Sequence, residues 1–130
     1  MPNWTLRDIS RDAAAAALKI PVSTLDVWLH RYRAPSGKRK GNRVFSLQDL
    51  TILQTARHLL SPGILAADAL RIAAANITGP PDDDSVLFVT ADRAWIGHRD
   101  DDWPPEGCAL VTPGWIRKSL EKALENQNVV

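Results

Sequence analysis

The stretch GKRKGNRVFSLQDL, residues 37–50, places four cationic side chains beside two glycines and then becomes regularly apolar. Glycine adopts turn conformations that other residues resist, so residues 33–43 predict a short basic hairpin rather than a helix. Val44–Phe45 would return the chain to the core. Ser46, with Asp49 three residues later, has the spacing of a capping box and predicts the start of a helix.

Two short helices are predicted before the hairpin. Ser10 is a suitable N-cap for an alanine-rich helix over Arg11–Leu18. Pro21 ends this element and can open a second helix over about Val22–Tyr32. At about 100° per residue, one face of the second helix is apolar and the opposite face carries Ser23, Val27 and His30. The apolar face consists of Val22, Leu25, Trp28, Leu29 and Tyr32.

Two further helices are predicted after the hairpin. The third runs from Ser46 to about Leu60, where SPG at 61–63 stops it. The fourth covers about Leu65–Ala75, and its predicted inward face consists of Leu65, Ala69, Ile72 and Ala73. Residues 76–85, NITGPPDDDS, contain glycine, two prolines and three like charges, which is typical of a linker.

Beyond the linker the apolar pattern changes from helix spacing to short strands. SVLFVT, AWIGH and GCALVT have strand length, and a final helix opens at Pro113 with Ile116, Leu120 and Leu124 spaced four residues apart. The predicted fold class is therefore α+β. Residues 1–76 would form a four-helix domain with a basic β-hairpin, and residues 77–130 a small β-β-(β)-α unit.

The net charge of +1 hides a strong division between the two halves of the chain. Residues 1–60 carry ten lysines and arginines against four aspartates, whereas residues 61–130 carry six against eleven acidic residues. A basic half of this kind favours an anionic partner. One cysteine cannot form an internal disulfide, and neither a signal peptide nor a membrane-spanning run is evident, so we expect a cytoplasmic protein.

Three motifs in order resemble the winged helix-turn-helix of MerR-like and excisionase-like proteins. They are STLDVWL at 23–29, GNRVFSLQDL at 41–50, and LQTARHLLSPGILAADALRIAA at 53–74. The resemblance covers residues 9–75 and implies that the hairpin is the wing. Three features depart from the family: Pro21 stands where a small polar cap is usual, Asp26 stands where many members have basic residues, and an acidic linker replaces the long dimerising helix. An aspartate can accept from cytosine N4 but also repels phosphate. Because the acidic linker replaces the long helix, we expect neither the family's antiparallel coiled-coil dimer nor its metal-sensing cysteines.

The resemblance implies binding to double-stranded DNA, most simply by a bacterial or mobile-element transcriptional regulator. The second helix would enter the major groove, which is wide enough for it, while the hairpin would contact adjacent backbone or minor groove. Neutralising about six phosphates would give a salt slope near −5. The predicted DNA-binding residues are Ser23, Thr24, Asp26, Val27, His30, Arg31, Arg33, Lys38, Arg39, Lys40 and Arg43.

No pattern in the sequence predicts an enzyme, a cofactor or a metal site. The HRD tripeptide at 98–100 lacks the other kinase motifs, and the histidines and Cys108 lack metal-ligand spacing. Two other functions stay open: an excisionase-like architectural protein, and a winged-helix adaptor that binds no DNA. The C-terminal unit contains three tryptophans, Trp95, Trp103 and Trp115, which favour homodimerisation or higher assembly through this unit. The alternative is a monomer whose C-terminal unit packs on the fourth helix.

Overall fold

The structure, a computed structural model, describes residues 3–127 as an α+β fold. This part of the chain contains five helices and two small antiparallel three-stranded sheets. In chain order the elements are β1 (Ile9–Ser10), α1 (Arg11–Leu18), α2 (Val22–Arg31), β2 (Gly37–Arg39), β3 (Asn42–Phe45), α3 (Leu47–Leu59), α4 (Ala66–Asn76), β4 (Ser85–Val89), β5 (Ala94–His98), β6 (Ala109–Val111) and α5 (Pro113–Gln127).

Helices α1 and α2 form as their sequence predicts. The Ser10 hydroxyl accepts a hydrogen bond from the backbone N–H of Ala13 and caps α1. Lys19 then ends α1 in a left-handed conformation, with φ of 58°. In α2 the apolar stripe is buried at Leu25, Trp28 and Leu29. These contacts fix which face of α2 remains outside.

The first sheet has the strand order β1-β3-β2. The basic hairpin is present, with β2 and β3 paired antiparallel. No sequence pattern predicts β1, whose residues Ile9 and Ser10 pair with Phe45 and Val44. A two-residue strand carries too few side chains to show alternation, so only the pairing reveals it.

Helix α3 is the centre of the fold, and its capping box is confirmed. The Ser46 hydroxyl accepts from the Asp49 N–H, and the Asp49 carboxylate accepts from the Ser46 N–H. The prediction that Leu65 faces the core is wrong, because this side chain is 73% exposed and only precedes α4. The prediction is confirmed for Ala69 and Ala73, which are buried together with Leu70, and α4 packs against α3.

The second sheet has the order β5-β4-β6, with all three strands antiparallel. Its central strand is buried from Val86 to Val89. Helix α5 buries Ile116, Leu120 and Leu124, as its spacing predicts, and packs mainly against α3 and α1. One hydrophobic core therefore runs from the first helix to the last.

Candidate nucleic-acid interface

The polar face of α2 lies on the surface. Ser23, His30 and Arg31 are exposed, and so is the apolar side chain of Val27, at 46%. Thr24 and Asp26 are half-buried at the flanks. Because the opposite face of α2 is seated on the core, these side chains are held on a rigid helix that presents them outward.

The hairpin turns over two residues, Lys40 and Gly41, whose φ angles are +52° and +82°. Positive φ at both central positions is the pattern of a type I′ turn, which matches the twist of paired strands. Lys38 pairs with Arg43 across the strands. The turn therefore carries its cations on a defined, protruding ribbon rather than on a loose loop.

Two cations of the hairpin have partners and two have none within residues 3–127. Arg39 donates from Nη2 to the carbonyl of Arg7 at 3.3 Å, and Arg43 donates from Nη1 to the Ser36 hydroxyl at 3.1 Å. Lys38 and Lys40 are exposed without a hydrogen bond or ion pair in this described range. The lysines are thus the cations most available to an anionic ligand.

Helix α2 and the hairpin border one groove. It has a volume of about 490 Å³ and is lined by His30 and Arg33 from the end of α2 and by Ser36 and Arg43 from the hairpin side. Arg33 has a positive φ of 56°, which turns the chain sharply out of α2 toward the hairpin. The C-terminal end of α2 and the Arg43 side of the hairpin therefore border the same groove.

Arg7 anchors the hairpin, and the sequence did not predict this role. Its Nε and Nη2 donate to the Asp49 carboxylate at 2.9 and 3.2 Å, and Asp49 is only 3% exposed. The hydrogen bond to Asp49 raises the pKa of Arg7 above its usual value. The stem of Arg7 also lies against Gly37, where an added Cβ would stand 2.7 Å from Cδ. These contacts fix the hairpin base to the start of α3.

No pattern in the sequence could have paired residues 7 and 49. They lie 42 positions apart, and the resemblance to a known family begins at residue 9. The capping box indicates only that Asp49 needs a further hydrogen-bond donor. The Ser46 N–H does not satisfy both oxygens of its buried carboxylate, and the sequence does not show that Arg7 is the second donor.

A second ion pair joins α1 to the exposed face of α2. Arg11 Nη1 donates to both carboxylate oxygens of Asp26, at 3.1 and 3.2 Å. Arg11 also lines a groove of about 620 Å³ between the start of α1 and the hairpin tip, whose other charged residues are Arg39, Lys40, Arg43, Asp8 and Asp12. The contact with Arg11 is therefore what partly neutralises the negative charge of Asp26.

The C-terminal tryptophans have different environments. Trp95 stacks on Phe88 with ring centroids 5.3 Å apart, and the Arg93 guanidinium lies 4.4 Å from the Trp95 ring centroid. Trp103 and Trp115 are 62% and 60% exposed. Large exposed aromatics of this kind are enriched at protein interfaces.

Across residues 3–127 there is no cluster of three or more histidine, cysteine, aspartate or glutamate side chains that could hold a metal ion. Nor does this part of the chain contain a helix long and apolar enough to cross a membrane.

The comparison with known protein families gave a match. A family model described as the MerR HTH family regulatory protein matches residues 9–75, slightly more than half of the chain. The matched stretch begins at β1 and reaches α4, so it includes α2 and the whole hairpin. No curated protein matches the chain.

Proposed function

The chain belongs to the MerR helix-turn-helix family of regulatory proteins, and from this premise we propose that it is a sequence-specific DNA-binding transcriptional regulator. In this proposal α2 is the recognition helix and enters the major groove, while the hairpin of β2 and β3 is the wing. The wing contacts the backbone or minor groove beside it. No catalysis and no cofactor enter the proposal.

The observation that carries the proposal is the shared groove between α2 and the hairpin. Ser23, Thr24, Val27, His30 and Arg31 extend from one helix, where base edges can be reached. Arg33, Lys38, Arg39, Lys40 and Arg43 surround the adjoining hairpin, where phosphates can be bound. The meeting of His30 and Arg33 with Arg43 in this groove supports a binding mode in which the helix reads bases while the hairpin binds the adjacent backbone.

The hairpin cations divide into two roles. Arg39 and Arg43 are tied to Arg7 and Ser36 and hold the shape of the ribbon. Lys38 and Lys40 carry their charge to the outside and would bind phosphates directly. We therefore expect substitutions of the two lysines to change affinity and salt dependence with little change in the fold.

Selection of bound sequences from random double-stranded DNA tests the proposal. The expected result is one defined motif and a log–log salt slope near −5, for about six phosphates bound per chain. His30→Ala should change the preferred sequence more than the affinity. Binding to tandem repeats with cooperativity would instead indicate the excisionase-like architectural function. If the protein shows no salt-dependent binding to DNA, the proposal of a transcriptional regulator is refuted. The adaptor that binds no DNA is then the remaining hypothesis.

We further propose that residues 77–130 form the assembly unit of a homodimer, through the free edge of β5. The Arg99 N–H donates to the carbonyl of Asp84, and the Thr90 N–H donates to the carbonyl of Arg93. In this register the backbone N–H and C=O groups of the odd-numbered residues of β5 point toward β4. Along an antiparallel strand, successive residues point their backbone N–H and C=O groups to opposite sides. Ala94 and Ile96 therefore point these groups away from β4, toward the free edge. An uncharged edge of this kind is a template for another strand.

The free segment of β5 is complementary to itself. An antiparallel pair centred on Trp95 would place Ala94 opposite Ile96 of a second copy, and the two-fold axis would make both pairings equal. His98 limits the segment at one end, because its N–H already donates to Asp101 at 2.8 Å. Two reading heads would then face a two-fold-symmetric DNA site.

Light scattering after size exclusion tests the dimer. The expected mass is twice the 14.3 kDa of one chain, and Ile96→Lys should reduce it to the monomer by placing a charge at the edge. Leu65→Lys is the matched control, since it adds the same charge to an exposed leucine away from this strand. A wild-type monomer at micromolar concentration would refute the dimer and leave the DNA-binding proposal untouched.

A further inference from the structure

We infer that Asp26 selects a cytosine at one position of the DNA site and that Arg11 positions its carboxylate. The inference rests on the proposed function, because it needs α2 in the major groove.

The geometry leaves the Asp26 carboxylate able to accept more than one partner. Both of its oxygens accept from the same nitrogen, Arg11 Nη1, at 3.1 and 3.2 Å. An ionised carboxylate has about four lone-pair positions, so acceptor capacity remains. Asp26 lies beside Val27, His30 and Arg31 on the exposed surface of α2, and its side chain is 33% exposed.

Arg11 also keeps unused donors. A guanidinium has five N–H groups, and the hydrogen bonds of Arg11 within residues 3–127 involve only Nη1. Its side chain is about half exposed and borders the groove lined by Arg39, Lys40 and Arg43 and by Asp8 and Asp12. Arg11 can therefore contact a phosphate and hold Asp26 at the same time, which lets a carboxylate approach DNA without an uncompensated negative charge.

The chemistry of the major groove then selects one base. A carboxylate offers only acceptors, and cytosine presents the N4 amino group, a donor, at this edge. Guanine presents two acceptors, N7 and O6, and thymine presents O4, so both repel a carboxylate. Adenine presents its N6 donor beside the N7 acceptor, which a carboxylate cannot satisfy. Cytosine is the base that Asp26 matches.

Asp26→Asn provides a test with a directional result. Asparagine carries one acceptor and one donor group and pairs with adenine through N6 and N7. In selection from random duplexes, we expect one cytosine position of the wild-type motif to become adenine, with the other positions unchanged. The expected switch in relative affinity for the two bases is roughly tenfold.

Asp68→Asn is the matched control, since Asp68 forms a comparable exposed pair with Arg71 at 3.3 Å on α4. It should leave the motif unchanged. Arg11→Gln should weaken the cytosine preference and reduce the salt slope by about 0.9, the value of one phosphate contact. Thermal unfolding of each variant shows whether the fold is intact.

A motif that is identical for the wild type and Asp26→Asn would overturn the inference, and so would a wild-type motif without a cytosine inside the recognised site. Either result leaves the proposed function standing, because DNA is still bound with sequence preference. Failure of the wild type to bind any duplex would instead refute the proposed function itself.

Discussion

Substitution of Lys40 by asparagine should stabilise the protein and weaken its binding to DNA. Lys40 holds a φ of +52° at the first position of the two-residue turn, and Gly41 follows at +82°. Residues other than glycine and asparagine resist this conformation, and Asn-Gly is the preferred pair for a type I′ turn. The same substitution removes a charge that has no partner within residues 3–127.

The two effects have separate magnitudes. Relief of a left-handed lysine should raise the free energy of unfolding by about 0.5–1 kcal/mol, which corresponds to a melting temperature higher by about 2–4 °C in a chain of this size. Loss of one phosphate contact should make the log–log salt slope less steep by about 0.9. If affinities converge at 1 M salt, binding at 0.1 M falls about eightfold.

Differential scanning calorimetry and fluorescence anisotropy at several salt concentrations measure the two effects on one preparation. Lys40→Arg keeps the charge and should match the wild type in DNA binding. Lys122→Gln removes a charge from the exposed side of α5 and should change neither quantity. An unchanged affinity and salt slope for Lys40→Asn would show that the hairpin tip does not reach a phosphate, and a lower melting temperature would show that the turn is not of this type.

Three further outcomes are expected. Gly114→Ala should lower stability by about 1–3 kcal/mol, because the added Cβ would overlap the backbone carbonyl of Asp82, while Gly79→Ala, with no atom within 4 Å, should be neutral in the same denaturant titration. Asp49→Ala should cost about 2–4 kcal/mol in urea unfolding, since it leaves a buried backbone N–H without an acceptor and frees the arginine that anchors the hairpin; a loss under 1 kcal/mol would contradict this. The Ser85 hydroxyl and the Asp84 N–H lower the pKa of Asp82 below 3.8. The contribution of the ionised Asp82 carboxylate to the free energy of unfolding is therefore present above pH 3.8 and lost as the pH falls through the folded-state pKa. An NMR titration midpoint for Asp82 at or above 3.8 would disprove this.

Local signals were enough to predict the helices around the candidate interface. Ser10, Ser46 and Asp49 marked the starts of α1 and α3, because capping depends on residues within one turn of each other. The spacing of Leu25, Trp28 and Leu29 showed which face of α2 is buried, and hence which face is free. The family match over residues 9–75 agrees with the motifs found in that stretch.

Contacts between distant residues could not be predicted in the same way. Leu65 fits the helical spacing of α4 but lies just before its first turn, so the apolar pattern gave the wrong orientation. Strand β1 shows no pattern of its own and exists because Phe45 and Val44 offer it a partner. Both errors arise where the position of another segment, rather than the local spacing, decides the outcome.

The sequence alone determined the α+β class, the order of the helices, the exposed polar face of α2 and the basic turn at residues 37–43, since each depends on spacing within a few residues. Tertiary structure alone decided that Arg7 reaches Asp49, that Arg11 holds Asp26, and that α5 completes the core against α1 and α3. Long arginine side chains can reach many partners, and only the folded backbone brings one carboxylate within hydrogen-bonding distance of each.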